Sequence, residues 1–474
     1  MSKTNYKDLE KKLTLQKRNA WEVWDEKIKQ SAFKFSEGYK KFLNQSKTES
    51  EAVVASIELA KRAGFKDMAT VKSLKAGDKV YAVNRGKSLF LAKVGKKPLD
   101  NGFNMIMPHI DSPHLDFKVA PLYEDENLAF LKTHYYGGIK KYQWPTIALA
   151  LHGQVYLENG KKVEINIGEK DSDPIFMITD LLPHIDRHGA PGQKIESRDV
   201  QGEELNLMVG SIPVKDEKIK EKVKLAILEY LWNEYGIKEI NLASAELHAV
   251  PCEKARDLGF DRSLIAAFGQ DDLVCAYAAL IGIIESKVSE KTQILAMVDR
   301  EEIGSAGNTG ANSYFLETFV SDLSELIDGE DDINHVYKIF AKSQAISADV
   351  TAGLDPDYKD AFDTRNTCRL GFGLAIEKYT GHGGKFSTSE ASGKFMQELI
   401  TLYSKNKSMV YQLAGGMGKI DKGGGGTIAK YLANRNLEVI DAGVALFNMH
   451  APLEIASKAD IYCAHLGYKA FLEN

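Results

Sequence analysis

The sequence predicts an α/β fold: a main domain on a mixed sheet, into which a second, β-rich domain is inserted. Three observations carry this reading. The apolar run from Gln293 to Asp299 is short, continuous and bounded by polar residues, as a buried strand is. From Asp271 onward, strand-like and helix-like segments alternate, the pattern of a sheet with helices packed on it. Between residues 120 and 250, short strand-like runs such as Gly153 to Leu157 and Glu164 to Ile167 alternate instead with polar turns.

The elements follow in order. Residues 5–65 read as helices, with Thr48 and Glu51 forming a capping box before Ala52-Val53-Val54-Ala55 and Gly64 closing that helix. Lys79 to Val83 and Ser88 to Val94 flank Asn84-Arg85-Gly86-Lys87, a hairpin signal. Asn104 to Met107 is a short buried strand that delivers His109. Within the insertion, a helix from Glu217 to Tyr235 leads to the run Ile240-Asn241-Leu242-Ala243. Beyond it come a helix through Asp272 to Lys287, the strand to Asp299, and a helix near Tyr314 to Leu326. The run Met409 to Leu413, a helix from Thr427 to Leu432 and a strand from Leu437 to Ile440 complete the pattern. The expected domains are 1–119 with 251–474, and 120–250, because the acidic and histidine positions resume only after the insertion.

A chain of 474 residues exceeds one ordinary core, and 44% apolar with 27% charged residues is the balance of a soluble globular protein. A formal net charge of −5 argues against nucleic acid or an acidic membrane as the main partner. No apolar leader follows Met1 and no stretch has the length of a membrane span. Cys252, Cys275, Cys368 and Cys463 lie far apart, without metal or redox spacing, and read as reduced thiols. The expected setting is cytoplasmic.

The chemistry begins at Glu301 and Glu302, which close the buried run. Two adjacent acids there repel each other and lose solvation unless something nearby needs negative charge, and a metal ion is the usual reason. A solvated loop explains a single Glu-Glu, but less well one placed between a buried strand and the small-residue turn Ile303 to Gly307. On extended backbone the two side chains diverge, so one can bind metal while the other serves as a general base. His109 and Asp111, two apart, face the same side of an extended chain, so the acid can steady the imidazole. His114 reads as a satisfied histidine of a turn. Asp271 and Asp272 open an apolar helix, where one Asp suffices as N-cap and the second is surplus. A carboxylate with one oxygen on each of two metals, roughly 3.5–4 Å apart, bridges paired-metal hydrolases. Asp349 in Ser347-Ala348-Asp349 and His450 after Met449 are structural when taken alone. Carboxylates and imidazoles without thiolates suit zinc, manganese or cobalt. Gly423 to Gly426 before Thr427 lacks the lysine and spacing of a nucleotide loop.

At these residues the chain resembles the zinc metallopeptidase family of aspartyl aminopeptidase and vacuolar aminopeptidase I. The ordered pieces are His109-Ile110-Asp111-Ser112-Pro113, Gly137-Gly138-Ile139, His184-Ile185-Asp186-Arg187, Asp271-Asp272-Leu273, Glu301 to Ser305, Ser347-Ala348-Asp349, Gly425-Gly426-Thr427 and Met449-His450. Each is modest, but the set spans nearly the whole length. The resemblance implies a dizinc aminopeptidase catalytic domain, with His109 and Asp349 on one zinc, Glu302 and His450 on the other, and Asp271 bridging. It implies Glu301 as general base, Asp111 as the orienter of His109, and His184 approaching the substrate from the inserted domain. It also implies peptide substrates and a homo-oligomer, a dodecamer in that family, with the inserted domain in dimer contacts. Asp272 stands where many members have Asn, which leaves two acids as possible bridges.

The expected function is hydrolysis of the N-terminal peptide bond of peptides. A dimetal deacylase or carboxypeptidase is one rival, separated by comparing a peptide with its N-acetylated twin. A catalytically silent self-assembling particle is another, separated by activity before and after chelation. Aspartyl-specific members carry a His where this chain has Ala352, and the basic residue that meets an acidic substrate side chain falls near Glu377 and Lys378. Neutral or aliphatic N-terminal residues are therefore expected to be cleaved at least as well as acidic ones. A panel of aminoacyl-chromophore substrates checks this, and a strong preference for N-terminal Asp or Glu would refute it.

Overall fold

The computed structural model describes residues 5–185 and 199–474. Its largest sheet has nine strands, ordered Lys66–Asp67, Lys79–Asn84, Ser88–Lys93, Thr292–Met297, Phe103–Met107, Gln344–Ser347, Glu438–Gly443, Leu374–Glu377 and Tyr411–Ala414. The four strands from Thr292–Met297 to Glu438–Gly443 run parallel, and antiparallel pairing on either side makes the sheet mixed. Side-chain alternation sends Leu295 and Met297 into one core and Ile294 and Ala296 into the other. That two-sided burial is why the run reads as continuous apolar sequence and not as alternation. Helices Glu26–Asn44, Glu49–Arg62, Gln270–Glu285 and Lys458–Leu472 supply the first core; Phe315–Asp328 and Ile333–Phe340 supply the second.

The N-terminal expectations hold. The Thr48–Glu51 capping box is formed, and the hairpin turns through Arg85 (φ 51°) and Gly86 (φ 71°). A second, seven-stranded sheet is antiparallel throughout, in the order Lys162–Ile167, Leu149–Tyr156, Ala245–Pro251, His114–Asp125, Leu128–Tyr136, Leu207–Gly210 and Met177–Ile178. It has its own apolar core, with Trp144 fully buried. This sheet begins at His114, ahead of the expected residue 120. The expected helix from Glu217 starts only at Lys222, because its first free N–H groups, those of Val223 and Lys224, donate to Glu124 Oε2 on the sheet at 2.8 and 2.9 Å. Ile240 to Ala243 lies in a 3₁₀ turn, Glu239–Ser244, and the strand Ala245–Pro251 follows it.

A third, five-stranded sheet joins Arg256–Leu258, Leu264–Ala267, Glu454–Ser457, Ala445–Phe447 and Thr351–Ala352. It brings the segment before Asp271 beside the segment after His450. Among the described residues no helix is long and apolar enough to cross a membrane. All four cysteines are free thiols, three of them buried.

Candidate metal centre

The carboxyl ends of the parallel strands converge, as loops carrying a site do in α/β sheets. Phe103–Met107 delivers His109, which pairs with Val298; Thr292–Met297 leads to Glu301 and Glu302; Gln344–Ser347 leads to Asp349. Glu438–Gly443 ends at Gly443, whose backbone lies against the Asp349 carbonyl so closely that a Cβ there would overlap it.

Two imidazoles organise the centre. His109 Nδ1 donates to the Asp111 carbonyl at 2.9 Å, and His450 Nδ1 donates to the Gly138 carbonyl at 2.8 Å. A carbonyl only accepts, so each Nδ1 carries a proton, and in the neutral form of either ring the Nε2 lone pair is free for a cation. Both Nε2 atoms face carboxylates. His109 Nε2 is 3.1 Å from Asp271 Oδ1 and 3.7 Å from Asp349 Oδ1. His450 Nε2 is 3.3 Å from Asp271 Oδ2 and 3.4 Å from Glu302 Oε2. Asp271 thus offers one oxygen to each imidazole.

This arrangement fits divalent cations. Asp271 Oδ1 and Glu302 Oε1 are buried without a hydrogen bond, although such atoms normally have one. Burial, then the charge of Asp271, pushes Glu302 well above the usual carboxylate range; burial likewise raises Asp349. Burial works against the charged forms of His109 and His450, yet the carboxylates around them raise both, His450 to about 10. Acids that resist ionising and imidazoles that attract protons mark a place short of positive charge. Two groups of donors within 4.8 Å of one another meet here: His109, Asp271 and Glu302, and His109, Asp272 and Asp349. The absence of a thiolate favours zinc, manganese or cobalt. Cys275 lies beside Asp272, but burial pushes its thiol up, so it stays protonated.

The acid pair departs from the extended backbone expected for it. Arg300 is left-handed (φ 67°), and Glu301–Ile303 is a 3₁₀ turn. The two side chains still diverge: Glu302 faces His450, whereas Glu301 belongs to neither donor group and pairs with no imidazole. Burial, then Asp349, raises Glu301 to about 8. Gly137 (φ +73°) lets the second sheet approach, since a Cβ there would sit 3.3 Å from Glu302 Oε2.

Asp111 is tied to His109 mainly through its own carbonyl, its carboxylate lying 3.3 Å from the same Nδ1. That carboxylate instead accepts the N–H groups of Glu301 at 3.0 Å and Glu302 at 3.1 Å. Neither Asp271 nor Asp272 has helical backbone, so the regular helix begins only after them, and left-handed Gly269 precedes the pair. Asp272 Oδ2 accepts the backbone N–H of His109 at 3.3 Å, and its carboxylate lies in one donor group with the His109 ring and Asp349. His184 is exposed, and no hydrogen bond or ion pair joins it to the carboxylate cluster; its motif partners Asp186 and Arg187 lie outside the described residues. Glu377 is buried, accepts Thr351 Oγ1 at 2.7 Å and is raised to about 8 by burial, while Lys378 is half-exposed and 3.4 Å from Glu390.

Sequence reasoning missed Glu454. Its buried carboxylate accepts the backbone N–H of Asp271 at 3.0 Å and of His450 at 2.8 Å, tying the two residues together. A lone acid at the start of a short buried strand, four residues after a histidine, was the only signal.

A mixed sheet with clustered imidazoles and carboxylates at its carboxyl edge defines a metal-dependent hydrolase. The family model of aminopeptidase I zinc metalloproteases (M18) matches residues 42–472. A probable M18 family aminopeptidase 1 of Clostridium acetobutylicum is 45% identical over 461 residues, 96% of this chain and 98% of its own. The crystal structure of an M18 family aminopeptidase from Thermotoga maritima superposes with a TM-score of 0.92 at 40% identity, covering 97% of this chain and all of that one. The mApe1 dodecamer of S. cerevisiae, at 20% identity and a TM-score of 0.72 over 92% of this chain and 96% of its own, shares the fold. The chain belongs to the M18 family and is a zinc aminopeptidase.

Replacing Glu454 by Gln puts an amide N–H against one of the two backbone donors. Outer partners of metal ligands typically contribute 10–100-fold in affinity. Glu454→Gln is therefore expected to weaken zinc binding by about that factor, read by titration against a competing chelator; wild-type affinity would show the residue to be dispensable.

Proposed function

We propose that the chain removes N-terminal residues from peptides with two zinc ions held by five ligands: His109 and Asp349 at one, Glu302 and His450 at the other, and Asp271 spanning both. One observation carries this: the Asp271 carboxylate lies between two imidazoles whose Nδ1 atoms are pinned to carbonyls, one oxygen facing each Nε2. Manganese or cobalt would suit the same donors. Zinc supplies Lewis acidity when bound, polarising the scissile carbonyl and easing deprotonation of water.

The chain's own groups do the rest. Glu301, left out of the ligand groups, takes the proton from the attacking water and passes it to the leaving amine. Asp111 holds the Glu301–Glu302 turn by both backbone N–H groups. His184 is proposed as a substrate contact on the resemblance alone. The setting proposed is cytoplasmic.

Glu301→Gln keeps the shape but cannot accept a proton at neutral pH, so both zincs are expected to remain while kcat falls by about 10²–10⁴-fold or more. Glu302→Gln is expected to lower zinc content at one site, because an amide is a poorer ligand than a carboxylate. Metal analysis beside kinetics tests both; if Glu301→Gln loses metal or keeps near-full turnover, the roles are wrong.

The proposed assembly is a homo-oligomer larger than a dimer, built partly through an inserted domain around the second sheet. The mApe1 neighbour is a dodecamer, and large apolar side chains stand exposed there: Ile212 at 80%, Ile175 at 54% and Trp232 at 53%. Light scattering should give a mass several times that of the chain; a monomer mass would refute it.

A further inference from the structure

Tyr136 ends the strand Leu128–Tyr136 of the second sheet, yet its hydroxyl reaches the metal centre: it donates to Asp111 Oδ2 at 2.9 Å. Asp111 is the acceptor from which the acid-pair turn hangs, Oδ1 taking the Glu301 N–H and Oδ2 the Glu302 N–H. The turn itself is a 3₁₀ turn of three residues entered through a left-handed residue, so its own hydrogen bonds hold it only weakly. Its placement depends on what Asp111 does.

The tyrosine is built to point. Its ring stacks on His114, with centroids 4.4 Å apart and planes at 15°. His114 is fixed at both nitrogens, Nδ1 to the Ser112 carbonyl at 2.7 Å and Nε2 to Asp116 at 3.0 Å. It stacks in turn on His248 at 3.8 Å and 7°. His114, Asp116 and His248 lie within 4.8 Å of one another. Parallel stacked rings, however, send their lone pairs side by side and not to one point, so the trio is a rigid stack and not a further metal site. Burial, then the charge of Asp111, raises the Tyr136 phenol, which keeps it a donor. Two residues on, Gly138 holds His450. One strand end therefore touches both halves of the centre.

We infer that Tyr136 is a positioning residue for hydrolysis: from the second sheet its hydroxyl fixes Asp111, and through Asp111 the backbone of Glu301 and Glu302. The inference rests on the reading of Glu301 as general base. Tyr136 touches neither ion nor substrate in this role, so it should act on kcat and not on substrate binding or zinc.

Tyr136→Phe keeps the stacked ring and removes only the O–H. A hydrogen bond to a charged acceptor corresponds to roughly a tenfold to hundredfold factor. The zinc-loaded enzyme is expected to lose that much in kcat, with KM for a peptide substrate within about twofold and zinc per chain unchanged. Because the effect passes through Asp111, adding Tyr136→Phe to Asp111→Asn should cost little more than Asp111→Asn alone. Wild-type kcat in Tyr136→Phe, a fall in zinc or melting temperature in step with activity, or full multiplicative loss in the double variant would each overturn it. Glu301→Gln run in parallel separates the two readings. An active Glu301→Gln removes the base, whereas an inactive Glu301→Gln beside a fully active Tyr136→Phe removes the positioning role alone.

Discussion

Asp111, Asp271, Asp272, Glu302 and Asp349 crowd around His109 and His450, and most of these side chains are buried. Like charges about 4 Å apart repel by roughly 4 kcal/mol even at a dielectric constant near 20. Two imidazoles whose Nδ1 protons are spent on carbonyls cannot balance that. Only concentrated positive charge makes the cluster favourable, and much of the surrounding structure serves to hold the acids together until it arrives. The parallel strands bring three of the segments to one edge. The third sheet brings the other two, Asp271 and His450, and clamps them with Glu454.

This constraint explains how the site was legible before its geometry was known. Two adjacent acids at the exit of a buried apolar run lose solvation, so Glu301 and Glu302 stood out, whereas Asp349 and His450 gained meaning only from the ordered set of motifs; all five ligand candidates converge. Much of the main sheet was legible too, because two-sided burial demands unbroken apolar runs, but the four-residue strands Gln344–Ser347 and Leu374–Glu377 were too short to be assigned. What stayed hidden depends on distant contacts. The start of the helix at Lys222 is set by Glu124, about a hundred residues upstream, and no local cap marks it. Glu454 and Tyr136 resemble ordinary strand residues until the fold brings their polar ends to the centre. The backbone of Glu301 and Glu302 was misjudged for a related reason: its 3₁₀ turn is imposed by Asp111, not by its own residues.

The sheets divide the labour. The main sheet supplies rigidity; the third joins Asp271 to His450; the second holds Asp111 through Tyr136 and His450 through Gly138. A unit that also carries much of the exposed apolar surface is thus mechanically joined to the reactive groups.

The split between the neighbouring glutamates is the last step that the geometry permits. On a 3₁₀ turn successive side chains are rotated by about a third of a turn, so two adjacent acids cannot face the same ion. Glu302 points to His450, its Oε2 against Nε2. Glu301 is thereby directed elsewhere, where burial, and then the charge of Asp349, raises it. Under the proposed roles, an acid beside the ligands but not bound to metal would keep a basicity that a metal-bound carboxylate loses. The turn that Asp111 holds therefore makes two chemically different residues out of one repeated letter in the sequence.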